Sequence, residues 1–474
     1  MTFKSFLDTP CGLRYMFDTL ELQSPCGRKL LLESRMMRDI KEIEKSYTGL
    51  GEVSRVLVEG EKAGLWNGGY TAAGEKIAEK LGCVRDISGT LCRAEAGAVL
   101  DDIELFEIKY LAMVSEEVGG MLSQTGLKEI ALPGLKQVVE LLDPDGLRIS
   151  SFYVYDSYSP ELKELRIRIR QLNAVQERAG SEDATGKKEA VQAELQQLIL
   201  QMGELEAEIR RELSGKLKGK AGELLFALQE LARLDILLAK ALQVKRMGLC
   251  FPEIGKAGRT VYKGLFHPQI KAVLKGKGKQ FTPIDLAFGL EPVTIIGANM
   301  GGKTVVLKMV ALSQLLFQFG FGVPAQSACI DIKNNVMLCV GDEQNELAGL
   351  SSFAAEIKAI DQVLREVKRG MRILALIDEP ARTTNPVEGT ALVSALLKVL
   401  HRKEVSVLLT THYNVEGDFY RRLRVKGLAE GIMDYRLEEA PEGAIPHEAV
   451  GIAESLGIDR EWLGETKRVL EAGK

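Results

Sequence analysis

Gly297-Ala298-Asn299-Met300-Gly301-Gly302-Lys303-Thr304 follows the apolar run Val293-Thr294-Ile295-Ile296 and leads into a helix expected from near Val305. The octapeptide fits G-x-x-x-x-G-K-[ST], and its place between a strand and a helix is the context that gives this pattern meaning. Glycines let backbone amides turn toward phosphate oxygens, and a helix N-terminus adds positive potential. Lys303 is long enough to reach the outer phosphates of a nucleoside triphosphate such as ATP, and the Thr304 hydroxyl is a ligand for Mg²⁺.

Two further strand ends belong with this loop. The run Arg372-Ile373-Leu374-Ala375-Leu376-Ile377 delivers Asp378-Glu379, where Asp378 would hold the Mg²⁺ shell and Glu379 would polarise an attacking water as general base. The run Val405-Ser406-Val407-Leu408-Leu409-Thr410 ends in Thr411-His412-Tyr413, which sets His412 where a γ-phosphate or the attacking water would lie. An acidic pair or a lone histidine after a strand is common as a solvated turn, so the glycine loop is what turns both into site candidates. After Gly255 short β-rich runs alternate with helical stretches, which implies a parallel sheet covered on both faces.

The 474 residues leave room for about three domains. With 46% hydrophobic and 27% charged residues, 47 Gly and 14 Pro, the composition is that of a soluble globular protein and excludes long disorder and collagen-like repeats. A net charge of −4 excludes nucleic-acid binding through overall charge and requires a local basic patch instead. Apolar runs are broken before they reach membrane-spanning length and the first residues lack a signal-peptide core, so a cytoplasmic location without membrane attachment is expected. Seven cysteines without a C-x-x-C pair read as reduced thiols in core positions.

Upstream of Gly255 the periodicity is helical. Residues 3–146 carry apolar positions at three- and four-residue spacing, and Leu147 to Tyr155, after the turn Asp143-Pro144-Asp145-Gly146, reads as a short strand or extended segment. Ser159-Pro160 is a helix start, and the stripe Leu162, Leu165, Ile169, Leu172 runs to about Gly180. A loop at 180–186 then precedes Val191, Leu195, Leu198, Met202, Leu205 and Ile209, which makes an antiparallel hairpin with arms of about 25 residues each. A further helix from about Ala221 to Val244 returns the chain.

The glycine loop with its internal Asn299-Met300, Val323-Pro324-Ala325, Ser351-Ser352-Phe353 with Glu356, Asp378-Glu379 and Thr411-His412-Tyr413, in this order, resembles the ATPase domain of the MutS family. Upstream, Asp86 to Arg93, Leu231 to Asp235 and His267-Pro268 resemble that family's helical core, lever and entry into the ATPase domain, so the resemblance covers most of the chain. It implies an α/β ABC-type P-loop ATPase domain preceded by an all-α core and lever domain with an antiparallel helical hairpin. The segments would be a helical core over 1–156, a projecting clamp-like hairpin over 157–215, a returning lever helix over 216–255, the ATPase domain over 256–446 and a C-terminal dimerisation segment over 447–474. The resemblance also implies a homodimer in which Ser351 and Ser352 of one copy complete the nucleotide site of the other. Asn299 would contact phosphates, and Phe281 is a candidate for stacking on adenine beside an equal reading as a core residue. Arg382-Thr383-Thr384-Asn385 resembles the segment that communicates across the dimer, with Pro380 and Ala381 departing from the usual isoleucine and glycine.

The resemblance lacks the mismatch-reading and connector domains of full-length MutS, and no terminal nuclease-like domain is expected after the clasp. Between Glu161 and Glu212 nine Lys/Arg stand against eleven Asp/Glu, a net −2, which is a poor footprint for duplex DNA even with Arg166, Arg168, Arg170, Arg178, Lys187 and Lys188 present. Two expectations follow. The family resemblance implies DNA bound without mismatch readout; the acidic hairpin is compatible with a remodelling or reactivating ATPase for a partner enzyme, for which truncated MutS-like proteins associated with adenosylcobalamin-dependent aminomutases are the family precedent.

Overall fold

Branched and aliphatic runs after Leu249 form ten strands among the described residues: β1 (Glu253–Ile254), β2 (Thr260–Leu265), β3 (Ile284–Phe288), β4 (Val293–Ile296), β5 (Ser327–Ile330), β6 (Asn335–Cys339), β7 (Ile373–Ile377), β8 (Ser406–Thr410), β9 (Arg421–Ala429) and β10 (Ile432–Glu439). The computed structural model describes all residues except 60–68, 179–184, 257, 298–301, 341–351, 404, 430–431, 442–458 and 473–474. It also leaves out the side chains of 177–178, 185–189, 352, 427–429, 432–433 and 470–472.

One sheet has the order β10-β9-β4-β8-β7-β6, and a smaller one has the order β1-β5-β2-β3. In the larger sheet β9, β4, β8, β7 and β6 are parallel, and β10 turns back antiparallel on β9. Every residue of β4, β7 and β8 is buried, as strands covered on both faces require. Their register sets Ile295 beside Thr410 and Ile377 beside Leu409, so the C-terminal ends of three neighbouring parallel strands finish at one edge. That edge is where open α/β sheets bind ligands.

The chain packs as two units. One comprises Met1–Glu21, Leu32–Gly51 and Ala239–Lys474; the other comprises Leu22–Leu31 and Glu52–Leu238. The expected helical core over 1–156 is therefore divided, because the first residues are too aromatic to stay at a surface. Phe3 stacks on Phe321 at 5.6 Å and meets Phe319 edge-on at 5.0 Å, and the Tyr47 hydroxyl donates to the Phe321 carbonyl at 2.7 Å. Helix Lys303–Gln318 is buried along nearly its whole length. Its Gln318 donates to the carbonyls of Met37 and Lys333, which supplies partners for polar groups that would otherwise be orphaned in the core.

His267 caps helix Pro268–Gly276 and is 2% exposed, and its Nδ1 has no partner among the described residues. Burial pushes its pKa down to about 4 from 6.5, against a hydrogen bond to the Cys11 backbone. The folded protein thus keeps this imidazole neutral while the unfolded chain takes up a proton. Stability from this group is full above pH 6.5 and is lost as pH falls toward 4, by roughly 3 kcal/mol at most. Urea midpoints at about pH 7 and about pH 4.5 should differ less in His267→Gln than in the wild type, and equal differences would assign the acid sensitivity elsewhere.

The second unit is helical. Helix Asp102–Thr125 begins with a capping box in which Asp101 and Glu104 satisfy each other's backbone amides. Leu147 to Tyr155 forms no strand: Arg148 turns into a left-handed backbone at φ +47° and Ser150 lies in a bend, and the end of the segment is pinned where Tyr155 and Asp143 meet the fully buried Lys109. Helices Pro160–Arg178 and Thr185–Lys218 run antiparallel with unequal lengths of 19 and 34 residues, in place of two arms of about 25. The boundary between units at Leu238 falls inside helix Ala221–Met247. No helix among the described residues is long and apolar enough to cross a membrane. Cys11 and Cys26 are buried as expected, but Cys83 and Cys92 are exposed.

Candidate functional site

The site is assembled at the C-terminal ends of β4, β8 and β7. Gly297 closes β4, and Gly302 caps helix Lys303–Gln318 in a left-handed conformation, φ +76°, that a residue with a Cβ adopts with difficulty. Ala298, Asn299, Met300 and Gly301 lie outside the described residues, so the roles expected of them stand as proposals.

Lys303, the first residue of the helix, is 3% exposed. Its Nζ donates to the Gly297 carbonyl at 2.5 Å and lies 3.1 Å from Glu379 Oε1. A buried ammonium must be matched by nearby oxygens, and here the loop and the acidic pair supply them. Thr304, the next residue, donates its hydroxyl to Asp378 Oδ2 at 2.8 Å. Lysine and threonine are thus adjacent in sequence and separately aimed, one at each member of the acidic pair.

Asp378 and Glu379 stand at the end of β7. The Asp378 amide donates to the Cys339 carbonyl of β6, and its Oδ1 accepts from Thr410 Oγ1 at 2.6 Å. That same Thr410 hydroxyl accepts the Glu379 amide at 2.8 Å. Thr410 therefore locks the two acidic residues to β8, a role the sequence reading did not give it, although a hydroxyl on the last residue of the neighbouring strand was its signal. The Glu379 side chain is 12% exposed, with Arg382 on its other side at 3.7 Å.

His412 follows β8 and is exposed, its ring 4.2 Å from that of Tyr413. Ser352 opens helix Ser352–Lys368, but its side chain and all of Ser351 lie outside the described residues. Phe281 is half-buried three residues ahead of β3. The aromatic ring set against the loop is instead that of Tyr435, whose Cδ1 would lie 3.0 Å from a Cβ added to Gly302. Tyr435 falls in the register shift between Asp434 and Leu437, and such a bulge re-aims a side chain. A sequence reading has no access to that shift.

The hydroxyl of Thr304 and the carboxylate of Asp378 are hard oxygen donors held close together. This fits Mg²⁺, which keeps several waters and takes few protein ligands.

Gly297, Gly302, Lys303 and the acidic pair thus stand together at the C-terminal ends of parallel strands of an α/β sheet. Residues 293–422, which run from β4 into β9, match the family model described as MutS domain V. The chain is similar to "Endonuclease MutS2" of Carboxydothermus hydrogenoformans, 26% identical over an alignment 513 positions long, gaps included, that covers 94% of this chain and 62% of that protein. It is similar to "Endonuclease MutS2" of Halalkalibacterium halodurans, 25% identical over a gapped alignment 525 positions long, covering 93% and 64%. With "Endonuclease MutS2" of Caldanaerobacter subterraneus identity reaches 30% over 285 aligned residues, covering 59% and 35%. The chain thus spans less than two thirds of the length of these relatives. The chain is thus similar to MutS2 proteins over most of its length, and residues 293–422 match MutS domain V.

Proposed function

We propose that this protein is a Mg²⁺-dependent ATP hydrolase that acts as a homodimer and turns the closing and opening of two shared sites into motion of its helical arms. The observation that carries this reading is the convergence of Lys303, Thr304, Asp378 and Glu379 on one sheet edge. Lys303 exchanges the Gly297 carbonyl and Glu379 for phosphate oxygens. Thr304 and Asp378 would hold Mg²⁺, which would supply charge neutralisation on the phosphates. Glu379, released from Lys303, takes the proton of a water whose oxygen bonds to the γ-phosphorus while the bond to the β,γ-bridging oxygen breaks, giving ADP and phosphate. Ser351 and Ser352 of a second copy and His412 of the first complete the cage. ATP then stabilises the closed dimer more than ADP does, which is the differential affinity any such motion needs.

Tyr435 takes the adenine-stacking role expected of Phe281. Tyr435→Ala should weaken binding of a fluorescent ATP analogue by about 1–3 kcal/mol, the range for loss of one base-stacking aromatic. The same titration on Phe281→Ala should show little change, and the reverse pattern would return the role to Phe281.

The relatives' name, endonuclease, supports DNA as the partner of the arms; we propose that it is bound without mismatch readout. The second reading, remodelling of a partner enzyme such as an adenosylcobalamin-dependent aminomutase, is favoured by the hairpin's ion pairs. Arg166 is paired with Asp156 and Glu206, Arg168 with Glu194 and Arg170 with Asp156, so these cations are already neutralised by the protein's own carboxylates. Titration of labelled duplex, junction and single-stranded DNA across a salt series separates the readings. Affinity that falls steeply with salt supports DNA, and no binding at low salt supports the protein partner.

A further inference from the structure

Two residues other than glycine at the site have left-handed backbones, Glu379 at φ +41° and Ala381 at φ +63°, on either side of Pro380. Such a conformation is unfavourable for a residue with a Cβ and persists only where the surroundings over-determine it. At Ala381 the surroundings act from both sides. Its amide donates to Glu356 Oε1 at 2.5 Å, and its carbonyl accepts the Tyr413 hydroxyl at 2.7 Å. The two side chains come from different elements, helix Ser352–Lys368 and the segment after β8. Burial pushes the Glu356 carboxyl above its ordinary value, against the Ala381 amide and Arg382, so this group stands in a protected position. Gly389 makes room for the clamp, since a Cβ there would stand 2.3 Å from the Tyr413 hydroxyl.

We propose that Glu356 and Tyr413 are positioning residues for the hydrolysis: by clamping the Ala381 peptide they hold the turn that aims the Glu379 carboxylate. This rests on the hydrolase reading above. Neither residue needs to touch nucleotide. Glu356 also lies one helical turn from Ser352, so the helix that begins at the serine segment is tied by one hydrogen bond to the loop that carries the general base.

The test is steady-state phosphate release, giving kcat and KM, together with equilibrium binding of a fluorescent ATP analogue to each variant. Glu356→Ala and Tyr413→Phe should lower kcat by about 10- to 100-fold, the scale of a misplaced reacting group, with analogue affinity within about threefold of the wild type. Glu356→Gln keeps an acceptor for the Ala381 amide and should stay within about threefold of the wild-type rate. Ala381→Gly, added to Glu356→Ala, should recover part of the lost rate, because glycine holds φ +63° unaided. Wild-type kcat in both Glu356→Ala and Tyr413→Phe would overturn the clamp, as would equal losses in Glu356→Gln and Glu356→Ala. If the wild type itself releases no phosphate from Mg²⁺-ATP, the hydrolase reading fails first and the clamp with it; a turning-over wild type matched by Glu356→Ala sinks the clamp alone.

Discussion

Glu379→Gln should reduce steady-state ATP hydrolysis by about 10²- to 10⁴-fold, the range for loss of a positioned general base. Nucleotide binding should survive. Glu379 Oε1 lies 3.1 Å from Lys303 Nζ, so an arriving phosphate competes with this carboxylate for the same cation. Replacing the carboxylate by an amide removes the competitor and an anion that repels phosphate, and affinity for ATP should equal or exceed that of the wild type. The closed ATP-bound dimer should accumulate, since the step that opens it is blocked. Phosphate release and analogue binding measured on the same preparation check this; unchanged turnover would remove Glu379 from the chemistry.

Lys303→Ala should show the opposite division. The ammonium is 3% exposed and is the side-chain cation bonded to the Gly297 carbonyl at the mouth of the loop, so its loss removes charge from where phosphates would bind. Removing one pre-organised donor in a water-excluded site costs on the order of 10²–10³ in rate. Here binding should fail as well, because the charge is needed in the ground state. Among the described residues, the variant also leaves Glu379, 12% exposed, with the more distant Arg382 at 3.7 Å as its ion-pair partner. Turnover and affinity should therefore fall together, whereas in Glu379→Gln they separate. A Lys303→Ala protein that binds and hydrolyses ATP normally would show that the glycine loop is a structural turn.

The site was legible where its residues are neighbours in sequence. Gly302-Lys303-Thr304 and Asp378-Glu379 each carry their chemistry within a few residues, and the apolar runs before them announce buried parallel strands. What joins them was not legible. Thr410 bridges Asp378 and Glu379 only because β8 lies between β4 and β7, and strand order is not written in any one strand. Tyr435 reaches Gly302 through a register shift that no local sequence pattern announces. The left-handed backbone at Ala381 has no signal in the residue itself, since alanine has neither glycine's missing Cβ nor the polar side chain with which Asn or Asp supports that conformation. The helical half was readable from periodicity, but its division was not. Phe3 and Tyr47 pack with Phe319, Phe321 and Phe317 across some 270 residues or more of chain, beyond any local pattern. Net charge over the hairpin was correct as a count, yet only the ion pairs of Arg166, Arg168 and Arg170 show how much of the positive charge is already committed.

The central proposition is that each ATP is hydrolysed between two copies of the chain, with the loop of one and the serine segment of the other. Mixing Lys303→Ala protein with Ser351→Ala protein tests it directly, because each variant alone lacks one half of every site and a mixed dimer regains one complete site. The account predicts that each variant alone is nearly inactive and that the mixture recovers about a quarter of the wild-type rate, one intact site in half of the dimers. A mixture no more active than the sum of its parts, or Ser351→Ala protein that hydrolyses ATP at the wild-type rate, would contradict it.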